Sequence, residues 1–281
     1  MDPVGKALWF IETNLGGELS LAEIAAFGGV SRFHLLRAFG AATGYPVMGY
    51  VRCRRLSEAA KRLAAGAGDI LGVALDAGYG SHEAFSRAFR DQFGVTPEAA
   101  RMQGDLATIK LVEAIAMDDN PIVNLALPRF EDGRAMLIAG LGQRYTFETN
   151  QGIPFQWQRF VPYIGHIPGQ IGGTTYGLCC NQDADGAFDY VCGVEVSRAD
   201  EIPPELQRVR IQKQRYAVFT HAGHVSRLRA VAYTIWNRML PALGLAVAEA
   251  PDFELYDNRV DPKTGMGIVE IWVPIKAAAG E

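Results

Sequence analysis

Near its start the chain twice shows apolar residues recurring every three to four positions, cut by a glycine and reopened by a serine. Ser20 opens the first helix, with Glu23 three residues on to complete a capping box. Leu21, Ile24 and Ala25 follow at helical spacing before Gly28-Gly29 stops it. Ser31 caps the next helix, whose Leu35, Ala38, Phe39 and Ala42 share one face while Arg32, Phe33, Leu36 and Arg37 fall roughly opposite. The pattern then repeats. Asp69 caps Ile70–Ala77, Gly78 supplies a turn, and Ser81 caps a helix that buries Ala84, Phe85, Ala88 and Phe89. Between the two copies Pro46 opens a long helix to Leu63, with Val47, Tyr50, Val51, Leu56, Ala60 and Leu63 as its buried stripe.

The two copies stand in one register. Gly28, Ser31, Arg37, Ala38, Phe39 and Gly44 recur 50 positions later as Gly78, Ser81, Arg87, Ala88, Phe89 and Gly94. A helix, a glycine turn and a second capped helix form a helix-turn-helix, which lays its second helix in the major groove of DNA. Phe33 and Leu36 are apolar groups on a face expected to be wet. Contact with thymine methyls accounts for them, and arginine suits guanine edges or phosphates. The connecting helix would set the spacing of two reading heads on one side of a duplex. Arg52, Arg54, Arg55 and Lys61 on that helix are candidates for backbone contacts or for a plain solvated face.

After residue 121 the period changes from helix to strand. Ile109–Met117 reads as a short linking helix that Asp118-Asp119-Asn120-Pro121 breaks, since proline drives its predecessor out of the helical region. Strands are expected at Ile122–Phe130, Ala135–Leu141, Thr174–Cys180 and Phe188–Val196, with a helix over Phe155–Tyr163. Arg208–His221, a helix Ser226–Leu240, and strands Phe253–Asp257 and Gly267–Pro274 follow. The order strand, helix, strand, strand thus occurs twice. It predicts two α+β modules side by side with a groove between them. The chain therefore divides into an all-α double helix-turn-helix domain (1–106, motifs at about 19–44 and 69–94), a linker (107–121) and an α+β domain (122–281).

Composition narrows the class. At 281 residues the chain can build two cores, and its net charge of −4 splits into +1 over residues 1–110 and −5 over the remainder. Over 28–92 the balance is +4, a modest surplus placed where phosphates would lie. No membrane span or signal peptide is legible, so a cytoplasmic protein is expected. Cys53, Cys179, Cys180 and Cys192 lack paired metal spacing and read as free thiols; no metal, cofactor or catalytic triad is expected.

From about Leu8 to Arg101 the chain resembles the DNA-binding domain of AraC-type transcription regulators. Leu21-Ala22-Glu23-Ile24-Ala25, Ser31–Phe39, Arg54-Arg55-Leu56, Gly78-Tyr79, Phe85–Arg90 and Phe93-Gly94-Val95-Thr96-Pro97 carry the likeness. The resemblance assigns base reading to the outward residues of both second helices: Arg32, Phe33, His34, Leu36 and Arg37 in the first, and Ser81, His82, Glu83, Ser86, Arg87 and Arg90 in the second. Gly40 stands where the family carries Lys, which weakens a phosphate contact, while Ala74-Leu75 and Ala99 depart conservatively.

The rear half resembles the gyrase-inhibitor-like effector-binding domain. The words that carry it are Ala135–Gly142, Cys192–Val196, Tyr216–His221, Pro251–Asp257 and Ile271–Ile275. The resemblance implies a pocket for bulky cationic or amphipathic molecules, walled by aromatics around a buried carboxylate. Strand alternation puts Asp252, Glu254 and Tyr256 on one face, and a carboxylate in a low-dielectric pocket needs a cation. Glu254 is the favoured anchor, with Glu195 and Glu270 as runners-up. Tyr256 stands beside it, and Trp157, Tyr163, Tyr176, Trp236 and Trp272 are candidate walls, aromatic faces being attractive to cations.

The expected whole is a regulator that binds double-stranded promoter DNA and senses a small molecule, as a monomer or homodimer, with RNA polymerase as a further partner. The alternatives are slow hydrolysis of small electrophiles by Glu254 with Tyr256 or Tyr163, and a rear domain that binds a protein.

Overall fold

Repeated local signals shape the front half of the computed structural model, which describes residues 2–107, 109–115, 122–146, 149–183 and 186–276. Seven helices occupy it: α1 (Pro3–Thr13), α2 (Leu21–Gly28), α3 (Arg32–Thr43), α4 (Val47–Ala64), α5 (Ile70–Asp76), α6 (His82–Phe93) and α7 (Pro97–Gln103). Each signal does its work. Ser20 and Glu23 close a reciprocal capping box, and Ser31, Asp69 and Ser81 each accept a backbone N–H at the start of α3, α5 and α6. Gly44 and Gly94, equivalent in the repeat, end α3 and α6 at φ 78° and 74°, a left-handed conformation that a Cβ disfavours. All six residues of the stripe expected on α4 are buried.

Arg54 departs from that expectation. It is buried on α4, donates to Glu12 and Glu58, and also donates to the Val112 carbonyl at 2.9 Å. The segment 109–115 runs along α4 without helical structure, contrary to the linking helix expected over Ile109–Met117. Its backbone groups are taken by α4 side chains: Val112 N–H donates to Ser57 Oγ and Ile115 N–H to the Tyr50 hydroxyl. A helix would spend those groups on itself. Residues 116–121, including the proposed break, lie outside the described residues.

The rear half is one antiparallel sheet of eight strands: β1 (Arg129–Gly133), β2 (Met136–Tyr145), β3 (Gln170–Cys180), β4 (Phe188–Val196), β5 (Gln207–Ile211), β6 (Gln214–His224), β7 (Asp252–Tyr256) and β8 (Met266–Pro274). Their order is β1-β6-β8-β7-β3-β4-β2-β5. The expected strand over Ile122–Phe130 begins only at Arg129, and the long extended stretch Arg208–His221 divides into β5, which pairs with β2, and β6, which pairs with β1 and β8. Helix α8 (Ile153–Phe160) follows β2. Helix α9 (Leu228–Thr234), a π turn over Ile235–Met239 and α10 (Leu240–Ala242) follow β6. The two strand-helix-strand-strand modules thus join edge to edge through β3 and β7.

Register assigns the faces. Ile271, Glu254, Gly177, Cys192 and Leu141 pair across the sheet in one row. On that face α8 packs on Tyr190, Cys192 and Val194, and α9 packs on Ala217, Phe219 and Ile271. On that face β7 and β3 lie between the strands that α9 covers and those that α8 covers, which makes this the candidate effector cleft. The opposite face closes around Ile138, Tyr176, Val191, Tyr216 and Phe253.

The two helix-turn-helix units are packed differently. The second has its own core around Phe85, Phe89 and Leu63. The first shares a continuous core with the rear half, in which Leu35, Leu36 and Phe39 join Val231, Trp236 and Val269. His34 Nε2 lies 2.7 Å from the Trp236 carbonyl, and Asn237 Nδ2 donates to the Ala38 carbonyl at 3.1 Å.

Burial lowers the pKa of His34 below its ordinary 6.5, and the Trp236 carbonyl recovers part of the shift. A base whose folded pKa is depressed binds its proton more tightly when undocked. Its contribution is complete above about 6.5, begins to be lost below that value, and is gone once pH falls through the lower folded-state pKa. Thermal unfolding between pH 7.5 and 5 should therefore show falling stability, and His34→Gln should flatten that dependence; an identical slope in the variant would contradict this role for His34.

A candidate effector cleft and two candidate reading heads

The second reading helix stands as its pattern predicts. Ser81, His82, Glu83, Arg87 and Arg90 are exposed on α6 and Ser86 is half-buried. His82, Glu83, Ser86, Arg87 and Arg90 line a concavity of about 500 Å³, where His82 Nε2 is 2.9 Å from Glu98 Oε1. Ala84, expected in the core, is exposed. The helix offers two arginines and a histidine on one open face, a donor-rich surface for base edges and phosphates, while the Ser86 hydroxyl is turned inward.

The first reading helix does not stand free, and here the structure corrects the expected outward face. Arg32 is exposed and Phe33 half-buried, but His34 and Leu36 are buried and the Arg37 side chain is only 11% exposed. The cause is the rear half. Arg37 Nη2 donates to Asp252 Oδ2 at 2.6 Å, and its guanidinium carbon lies 5.5 Å from the Trp236 ring centroid and 5.7 Å from that of Phe188. Arg32, Phe33 and Leu36 face residues 180–183 and 249–251 across a groove of about 390 Å³. Burial pulls the Arg37 guanidinium pKa down, but the Asp252 charge more than reverses it; burial raises Asp252 despite its partner.

Within the cleft, Glu254 is the carboxylate that gathers aromatic hydroxyls. Tyr190 and Tyr256 donate to its Oε2 at 2.7 and 2.9 Å, and Trp157 Nε1 donates to the Tyr190 hydroxyl at 3.1 Å. The Trp157 and Tyr256 rings meet edge to face with centroids 5.1 Å apart. Gly177 makes the cluster possible. A Cβ there would overlap the Tyr190 hydroxyl and stand 2.7 Å from Glu254 Oε2. Burial pushes the Glu254 carboxyl above its ordinary 4.5, and the two phenols pull it back only in part. It remains partly accessible to solvent, as the floor of a cleft must be to receive a ligand.

The other candidate anchors are elsewhere. Glu195 and Glu270 alternate onto the opposite sheet face, where Arg134 pairs with the first and Arg129 and Arg259 pair with the second. Neither is an unpaired charge awaiting a cation. Of the candidate walls, Tyr256 donates to Glu254, and Trp157 is linked to it through the Tyr190 hydroxyl and the Tyr256 ring. Tyr163 stacks on Phe160 at 6.2 Å and lies against the same core without touching the carboxylate. Tyr176 and Trp272 pack around Phe253 on the far face, and Trp236 serves α3. Tyr190, Phe188 and the role of Asp252 were missed by sequence reasoning. Strand parity puts Phe188, Tyr190 and Cys192 on one face, but only the β3–β4 and β3–β7 registers bring them to β7.

Among the described residues no group of three or more His, Cys, Asp or Glu side chains could hold a metal ion, and no helix is long and apolar enough to cross a membrane.

Comparison with known proteins accounts for both halves. A family model described as GyrI-like small molecule binding domain matches residues 127–276, and one described as helix-turn-helix domain matches 24–103. The transcriptional regulator Rob of Salmonella typhimurium is 28% identical over 277 residues, covering 94% of this chain and 94% of that protein. The right origin-binding protein of Escherichia coli K12 is 28% identical over 292 residues, covering 98% of this chain and all of that protein (100%). The multiple antibiotic resistance protein MarA of the same strain is 36% identical over 99 residues, covering 35% of this chain and 78% of its own.

Proposed function

The chain belongs to the AraC-type transcription regulators that carry a GyrI-like small-molecule-binding domain, and we propose that its effector is a bulky aromatic cation held by Glu254. The single observation behind this reading is the Glu254 cluster. A largely buried carboxylate with a burial-raised pKa, held by Tyr190 and Tyr256 with Trp157 beside them, gains more from a cation than from the little water that reaches it. A delocalised aromatic cation suits it, because the Trp157 and Tyr256 rings stand beside the carboxylate charge.

DNA reading falls to α6 through His82, Glu83, Ser86, Arg87 and Arg90, and to α3 through Arg32, Phe33 and Arg37 once that helix is free. Ser81 acts as a cap, and His34 and Leu36 pack α3 rather than read bases. Two heads on one chain let a monomer span a site in the cytoplasm, although a homodimer and a polymerase contact fit the same plan. Binding is favoured over slow hydrolysis at Glu254 because a relative spanning nearly the whole chain is a transcriptional regulator.

Tetraphenylphosphonium is a suitable probe, being a delocalised aromatic cation with no hydrogen-bond donors. Titration followed by tryptophan fluorescence should saturate, and Glu254→Gln should weaken it at least tenfold. Cation binding requires the ionised carboxylate, so affinity should fall as pH drops, starting above the ordinary glutamate value of 4.5. Equal affinity in wild type and Glu254→Gln would remove Glu254 as the anchor, and steady release of a modified ligand would favour the hydrolase.

For DNA, Arg87→Ala should cost about 1–3 kcal/mol of binding to a duplex selected by the protein from a random pool, measured by fluorescence anisotropy. Unchanged affinity would exclude Arg87 as a reader.

A further inference from the structure

The most unusual contact in the molecule is that a residue of the first reading helix is bound as a ligand would be. Arg37 brings a cation to the end of the cleft. It meets a buried carboxylate at 2.6 Å and two aromatic faces at 5.5 and 5.7 Å. That set of partners is what a cation site consists of. The fit is incomplete, however. Arg37 Nε and Asp252 Oδ1 are buried without a hydrogen-bond partner, so only one prong of the guanidinium–carboxylate pair is made. Buried polar atoms left unsatisfied oppose the docked state and offset part of what the shared apolar core contributes to it.

Position adds the second half of the argument. Asp252 and Glu254 lie two residues apart on β7 and point to the same face. Residues so spaced on a strand are about 7 Å apart. Arg37 is close enough to Glu254 to favour its ionised form. A second cation arriving at Glu254 would therefore feel the Arg37 charge in a poorly screened cleft.

We propose that Asp252, Phe188 and Trp236 form a second cation subsite of the effector cleft, which Arg37 fills from within the same chain, and that a hydrophobic cation entering the cleft competes with Arg37 and releases α3. The proposal rests on the reading of Glu254 as a cation anchor and adds the coupling to DNA. In the absence of cation the first head is closed and α6 alone faces DNA. With cation bound, Arg37 and Phe33 become available beside the already exposed Arg32. Because linkage is reciprocal, DNA that holds α3 must also favour cation binding.

The test uses the full chain and tetraphenylphosphonium. Arg37→Ala removes the internal competitor, so the probe should bind roughly tenfold or more tighter than to wild type. In wild type, a saturating concentration of the probe should tighten binding to a duplex selected from a random pool, and that duplex should tighten probe binding by the same factor. This second arm needs no substitution, so misfolding of the variant cannot obscure it. If Arg37→Ala binds the probe no tighter while Glu254→Gln still weakens it, the competition is wrong and the sensor reading survives. A probe that weakens or leaves unchanged wild-type DNA binding also overturns the proposal. If neither wild type nor Arg37→Ala binds the probe, both readings fall.

Discussion

A guanidinium cannot be buried without a counter-charge, and the arrangement of the two halves follows from where Arg37 finds one. Its partner is Asp252 at the start of β7, covered by Trp236 from the π turn after α9 and by Phe188 from β4. Around that pair His34 meets the Trp236 backbone, Asn237 meets the backbone of α3, and Leu35 and Leu36 enter the core of the second module. Removing one member of such a pair leaves a buried charge uncompensated, which costs about 3–5 kcal/mol. Separating the halves instead returns both charges to water. The pair therefore specifies a docked state without making it irreversible.

The same constraint distinguishes the two helix-turn-helix units, which are nearly equivalent as sequence. Arg87 occupies in α6 the position that Arg37 occupies in α3, yet Arg87 is exposed and Arg37 is not. The local physics is shared: serine caps, left-handed glycines at φ 78° and 74°, and a buried phenylalanine at the same place in each helix. What differs is the neighbour. The second unit completes its own core with α4 and α7, whereas the first completes its core with the sheet.

Features set by short-range chemistry were legible in the sequence. The caps, the helix ends, the stripe on α4, the strand-helix-strand-strand order and the shared face of Asp252, Glu254 and Tyr256 all depend on residues a few positions apart. Long-range pairing was not. Glu195 and Glu270 looked like equivalents of Glu254 because each sits in an apolar strand, but register puts them on the other face beside Arg134, Arg129 and Arg259. Trp236, expected as a pocket wall, packs against α3 and faces the Arg37 guanidinium rather than Glu254. The apolar Phe33 and Leu36 on a face expected to be wet were a real signal. Contact with DNA was one account of them, and packing against the rear half, Phe33 edge-on to the Trp236 ring and Leu36 in the shared core, is the one the structure shows.

The central claim is that α3 is held in the cleft and leaves it when a cation binds. Hydrogen exchange of the backbone amides of α3 in the wild-type protein, with and without saturating tetraphenylphosphonium, addresses it most directly. Release predicts faster exchange across residues 32–43 with the probe present, while the amides of α6 stay as they were. Slower or unchanged exchange in α3 on binding would contradict it.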